Sequence, residues 1–191
     1  MHDHERTPSE SSGAMPRGNE RHLDFHPGMG MRWEITRSTE DTAGDLFEAT
    51  NWLDPHMPGP PVHVHPTAEE SYEVVEGALE VCVDGEWRTV SAGETATVPA
   101  GVPHTLRNAS TAPVRIVNIH RPAQQFESFF RDMHSLIQRG KIKHLPPKEP
   151  RSAIYAAMLF GKYPHEIRTT KPPNWVFRSL AFVGRALRFK L

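Results

Sequence analysis

Large apolar residues are scarce over the first thirty positions, where His, Glu, Ser, Gly and Pro dominate. A segment of that make-up cannot bury enough surface to offset its ordering entropy, so residues 1–30 are expected to form a mobile tail. From about Trp33 to Arg121 apolar and polar positions alternate in short β-type runs. The alternation predicts strands over residues 45–52, 70–76, 78–83, 86–90, 95–98, 104–108 and 114–120. Gly77 and the Asp84-Gly85 pair mark tight turns, and Asp-Gly between two such runs is a strong hairpin signal. Many short strands at this spacing mean an antiparallel sandwich or barrel.

After Arg121 the period changes. Phe126, Phe129, Phe130, Met133, Leu136 and Ile137 recur at three- and four-residue steps and Gly140 stands where a helix would stop. Residues 123–139 are therefore expected to form an amphipathic helix packed on the outside of the sheet. A Pro- and Lys-rich linker, KIKHLPPKEP, precedes two apolar segments at 153–160 and 175–191. A helix over the last of these would align Val176, Leu180, Val183, Leu187 and Leu191 and set Arg178, Arg185 and Arg188 apart from them. Trp175, Phe182 and Phe189 follow at seven-residue intervals. Such a helix fits the barrel, a partner subunit or a membrane surface.

The length of 191 residues suits one domain with appendages. No apolar run reaches the length of about eighteen that a spanning helix needs, and the polar start MHDHERTPSE does not resemble a secretory signal, so a cytoplasmic location is expected. Cys82 is the single cysteine, which excludes an internal disulfide and any multi-cysteine metal site. It is expected to be a small buried hydrophobe. The net charge of -1 conceals a split: residues 1–139 hold 11 Lys/Arg against 21 Asp/Glu, a balance of -10, and residues 140–191 hold 11 against 2, a balance of +9. The basic end therefore calls for an acidic counterpart, in the same chain, in a partner subunit or on a membrane. No nucleic-acid-reading motif is present, and none is expected as a partner.

Two patches carry the candidate chemistry. In HVHPTAEESYEVVEG, His63 and His65 stand at i and i+2, which on a strand points both to one face. Alternation from Glu70 brings Tyr72 and Val74 to the face that Glu70 uses. In GETATVPAGVPHTLRN the chain turns through Pro99 and Gly101 and delivers His104 to another strand, with Leu106 and Asn108 on its face. His63, His65, Glu70 and His104 make up a set of nitrogen and oxygen ligands for one divalent ion, provided the fold brings strands forty residues apart together. Tyr72 is a candidate catalytic residue or a packed wall residue. His120 is expected at an exposed strand end, and His2, His4, His22 and His26 in the solvated tail.

Both patches resemble the signature motifs of the cupin superfamily. The first motif has a His-x-His pair, then a glutamate after three or four intervening residues and a glycine after six more, matched here by His63, His65, Glu70 and Gly77. Its opening glycine is not matched, since Met57 holds that place and Gly59 comes two residues later. The second motif is matched throughout by Gly93, Pro99, Gly101, His104 and Asn108. The resemblance covers residues 32–122 and implies a mainly β fold, a single cupin (jelly-roll) β-barrel, followed by the helix at 123–140 and a basic, partly helical extension at 141–191.

The resemblance further implies one divalent transition metal ion, Fe, Mn, Ni, Cu or Zn, held by His63, His65, Glu70 and His104 in the barrel mouth. Three neutral imidazoles and one carboxylate around such an ion leave a charge of +1 and room for substrate. Small single-domain cupins suggest a dioxygenase acting on a small oxygen-rich molecule, with isomerase and decarboxylase as further enzymatic readings. The alternative from another class is a non-catalytic ligand-binding or sensing cupin whose basic C-terminal segment, residues 173–191, contacts a partner or membrane. A homodimer is the expected assembly.

Overall fold

The computed structural model describes residues 21–191. His2 and His4 of the expected tail lie outside these residues. In chain order the elements are β1 (His22–Asp24), β2 (Met31–Arg37), β3 (Phe47–Leu53), β4 (His63–Val64), β5 (Glu69–Glu76), β6 (Ala78–Val83), β7 (Glu86–Ser91), β8 (Thr95–Val98), β9 (His104–Arg107) and β10 (Val114–Arg121). Then come α1 (Phe126–Gln138), α2 (Pro150–Lys162), β11 (Arg168–Thr169) and α3 (Asn174–Ala186). Two antiparallel sheets result, one ordered β1-β2-β3-β10-β5-β8 and the other β11-β4-β9-β6-β7, and their buried faces share one hydrophobic core. This is the antiparallel sandwich that the strand pattern predicts, in the jelly-roll form that the resemblance implies.

Alternation decides which side chains enter that core. Phe47, Ala49, Asn51 and Leu53 of β3 point inward, as do Val114, Ile116, Asn118 and His120 of β10 and Glu70, Tyr72 and Val74 of β5. At one end of the sheet the inward positions are therefore polar, and the site forms there. Asp84 and Gly85 both take positive φ, as a tight hairpin of this twist requires, and Cys82 is free and buried.

Three expectations change. Residues 21–30, read as tail, carry β1, which pairs with β2 through Leu23 and Trp33. What holds this segment is long-range: the His26 imidazole bridges Asp24 Oδ1 at 2.6 Å and Asp54 Oδ2 at 2.7 Å, and Phe25 packs edge-on against Trp33. Second, the amphipathic helix begins at Phe126, three residues later than the pattern suggests, because Gln124 sits at positive φ. It does not cover the outside of the sheet. Phe130 lies 4.2 Å from Trp33 and Phe126 4.1 Å from His120, ring to ring, so α1 packs against inward-facing residues at the site end.

The third concerns the missing motif glycine. Gly59 adopts φ +81, and a Cβ there would lie 1.6 Å from the Leu106 carbonyl oxygen. The chain crosses backbone-on-backbone over β9, beside His104, and only glycine permits it. Asn108 fixes the same crossing, its Nδ2 donating to the Leu53, Asp54 and Ala112 carbonyls while its backbone N–H donates to Met57 O. The glycine has moved by two positions and serves the strand crossing.

Two outcomes are expected. Gly59→Ala, facing both the clash and the positive φ, lowers stability by about 2 kcal/mol or more in denaturant titration. For His26, burial works against the charge, but hydrogen bonds to Asp24 and Asp54 outweigh it and raise the imidazole above its usual range. Its stabilising effect is then full below the ordinary histidine value of about 6.5 and is lost as pH rises through the raised folded value. Denaturant titration across pH should show the advantage of the wild type over His26→Phe shrinking on the alkaline side; a pH-independent difference would contradict the bridged imidazolium.

Candidate metal centre

The ligand set is built from both sheets. His63 on β4 pairs directly with His104 on β9, His65 follows two residues after His63, and Glu70 reaches across from β5 in the other sheet. All four side chains are buried, and one nitrogen or oxygen atom from each falls within 4.8 Å of the others. The two patches singled out in the sequence do come together.

Backbone carbonyls orient the three rings. His63 Nδ1 donates to Pro61 O at 2.9 Å, His104 Nδ1 to Val102 O at 2.8 Å and His65 Nδ1 to Glu166 O at 2.5 Å. A carbonyl oxygen only accepts, so each ring carries its proton on Nδ1 and, when neutral, presents the Nε2 lone pair to the centre. His65 Nε2 and His104 Nε2 lie 2.9 and 2.8 Å from Glu70 Oε2. Ligands about 2.0–2.2 Å from one ion at right angles stand about 3 Å apart, so this spacing suits shared coordination.

Charge makes the same demand. Burial followed by the neighbouring His104 and His65 rings lowers the His63 pKa to about 3, which leaves that ring neutral. Burial alone would raise Glu70, but the surrounding imidazoles, His120 and His65 foremost, hold it well below the usual carboxylate range. The same carboxylate raises His104 against its own desolvation, a sign that positive charge is favoured where the Nε2 atoms converge. A buried carboxylate facing three ring nitrogens, with every Nδ1–H already used, fits a divalent cation.

Around this set lie residues the sequence reading missed or misplaced. His120 is not at an exposed strand end; it is fully buried, opposite Glu70 in the strand register, with Nε2 3.2 Å from Glu70 Oε1. Asn118 Nδ2 donates to the same oxygen at 2.8 Å. The signal was available, since Val114, Ile116, Asn118 and His120 share one parity and the first two are apolar. Tyr72 sits in the wall next to Glu70, and burial together with that carboxylate raises its phenol well above the usual range. It keeps its proton and can serve as a donor, not as a base.

A mostly apolar cavity of ≈ 70 Å³ adjoins the set, walled by Trp33, Leu53, Ile116 and Phe130. Its remaining wall comes from the C-terminal extension: Phe160, Ile167 and Thr169 line it, and Thr169 of β11 pairs with His63 of β4. The basic extension at 141–191 thus contributes, over residues 160–169, to the wall of this cavity. No local pattern announces this, because the bond from His65 to Glu166 spans 101 residues.

A jelly roll that gathers three histidines and a glutamate between its sheets is the cupin arrangement, and the chain carries a match to the cupin domain. The family match is to the cupin domain Cupin_2 across residues 53–120. Among curated proteins, quercetin 2,3-dioxygenase of Bacillus subtilis (strain 168) is 38% identical over 69 residues, covering 36% of this chain and 20% of that protein. The HTH-type transcriptional regulator SutR of Escherichia coli (strain K12) is 35% identical over 86 residues, covering 44% and 42%. The chain thus matches less than half the length of either relative. A solved RmlC-like cupin from Shewanella frigidimarina NCIMB 400 is 22% identical, covering 61% of this chain and 96% of that one, with a TM-score of 0.47. Among the described residues no helix is long and apolar enough to cross a membrane.

Asn118→Leu keeps the side chain's bulk but removes the donor to Glu70 Oε1. Thermal or chemical denaturation is expected to show a loss of about 1.5–3 kcal/mol, the range for a hydrogen bond to a charged group. A neutral substitution would mean that water satisfies the carboxylate.

Proposed function

We propose that the chain is a mononuclear metal-dependent cupin enzyme of the oxygenase type, acting on a small oxygen-bearing organic molecule. The observation that carries this reading is the convergence of three Nε2 atoms and the Glu70 carboxylate, with each Nδ1–H taken by a carbonyl, beside an apolar cavity. His63, His65, Glu70 and His104 would hold the ion. A divalent transition metal there supplies Lewis acidity and, if redox-active, one-electron chemistry with dioxygen.

The protein's own contributions are separable. Trp33, Leu53, Ile116 and Phe130 accept a flat or branched carbon skeleton and exclude water, which strengthens every electrostatic contact inside. Tyr72, held protonated, offers its phenolic hydrogen to an oxygen of the bound molecule. Asn118 holds the Glu70 carboxylate from its far side, with His120 Nε2 3.2 Å from the same oxygen, so that Oε2 stays turned toward His65 and His104. The similarity to quercetin 2,3-dioxygenase supports oxygenase chemistry. The similarity to the SutR regulator supports a second reading, a cupin that senses a ligand without turnover.

Metal content after anaerobic loading with Fe, Mn or Ni, followed by oxygen uptake over a panel of phenolic and dicarbonyl compounds, separates the two. The enzyme reading predicts one ion per chain and oxygen consumption with at least one compound class; ligand binding without oxygen consumption would favour sensing. At a hundredfold excess over its dissociation constant the ion should stabilise the chain by about 2.7 kcal/mol, and His104→Ala should abolish that gain together with the bound metal. Metal content unchanged in His104→Ala would refute the ligand assignment.

A further inference from the structure

We infer that α3 is a docking element for an anionic membrane surface. The helix is held by one face and bare on the other. Its inner face packs on α2 through Phe177, which meets Phe160 edge-on at 5.8 Å, and through Ala181 and Gly184. A Cβ at Gly184 would lie 2.5 Å from Met158 Sδ and 2.6 Å from Ile154 Cγ2, so the approach depends on glycine. The small residues, not the Val/Leu stripe legible in the sequence, select the buried face. Val183 and Leu187 of that stripe are consequently exposed, at 41% and 61%.

The bare face is apolar, aromatic and basic. Trp175 is 69% exposed and Phe182 67%, the two standing seven residues apart on one ridge, with Val183 and Leu187 beside it. Large apolar side chains are rarely left this open without a partner, and beyond this segment, whose last residue Leu191 is exposed as well, only Val62 and Trp87 are exposed large apolar residues among the described residues. Arg178 and Arg185 are also exposed on this helix, and the stretch 168–191 carries Arg168, Lys171, Arg178, Arg185, Arg188 and Lys190 with no Asp or Glu. Apolar side chains reach an acyl boundary while cations meet lipid phosphates, which is how an interfacial helix binds.

The alternatives fit less well. A two-fold contact of α3 with α3 of a second copy would set these cations against each other. A contact of α3 with the acidic body of a second copy would satisfy charge, but that body offers the Trp175 and Phe182 ridge only Val62 and Trp87 as exposed apolar partners. An anionic bilayer satisfies both terms at once. Docking there would place the lipid next to a groove beside α3 that shares Phe160, Ile167 and Thr169 with the wall of the site cavity.

Sedimentation of the full chain with vesicles of phosphatidylcholine containing phosphatidylglycerol, and with phosphatidylcholine alone, tests the inference. Binding is expected to the first only and to weaken as salt is raised. W175A/F182A should weaken partitioning about tenfold or more, because both side chains enter the acyl boundary. R178E/R185E should weaken it at least as far through charge. Both pairs lie on the exposed face, so unchanged melting temperatures are expected and confirm that the fold is intact. No binding to the anionic vesicles, equal binding to both kinds, or variants that bind as the wild type does would overturn the inference. So would a dimer in solution, measured by light scattering, that the same variants dissociate while vesicle binding persists.

Discussion

Three hydrogen bonds from ring nitrogens to backbone carbonyls govern the centre, because each fixes where a proton resides and therefore where a lone pair points. His63, His65 and His104 each spend Nδ1 on a main-chain oxygen, and Nε2 of His65 and of His104 is left facing Glu70. Main-chain oxygens are positioned by the fold and not by rotamers, so the orientation costs little side-chain entropy beyond burial itself. Each carbonyl belongs to a different part of the chain: the approach to β4, the turn before β9 and the segment after α2. The two sheets and the C-terminal extension must all be in place before the three rings agree.

Glu70 converts that agreement into charge. Burying a carboxylate is costly unless its oxygens are satisfied, and here Oε2 faces His65 and His104 while Oε1 meets Asn118 and His120. The inward faces of β5 and β10 thus change from apolar packing around Val74 and Ile116 to a polar cluster around Glu70 and His120 within a few residues. Phe126 and Phe130 of α1 close over His120, so the cluster is desolvated by aromatic rings. Low dielectric strengthens every pairing in it, and would equally punish any that was missing.

The sequence is informative where structure is local. Strand parity fixed the inward turn of Glu70, Tyr72 and Val74, and the Asp84-Gly85 pair marked the β6–β7 hairpin, because these depend on neighbours along the chain. The two patches could be joined into one ligand set because His-x-His and the later histidine match an ordered family pattern. What the sequence concealed is what distant partners decide. β1 is tied down by His26 reaching Asp54, and the wall of the cavity is completed by β11 pairing with β4. Local composition around His22–Asp24 is that of a tail, and around Arg168–Thr169 it is that of a linker. Met57 stands at the family's glycine position, whereas Gly59 performs a strand crossing that only the position of Leu106 O explains.

The bond from His65 to Glu166 has a consequence for the order in which the protein is made. A ribosome delivers His63, His65, Glu70 and His104 long before it delivers the carbonyl that orients His65, since 101 residues separate that donor from its acceptor. A nascent chain that has reached β10 carries all four of these residues but not yet the carbonyl that fixes the His65 tautomer, nor Phe160, Ile167 and Thr169 of the cavity wall. The residues that converge at the centre are therefore synthesised before the carbonyl that orients one of them and before β11, which completes the second sheet.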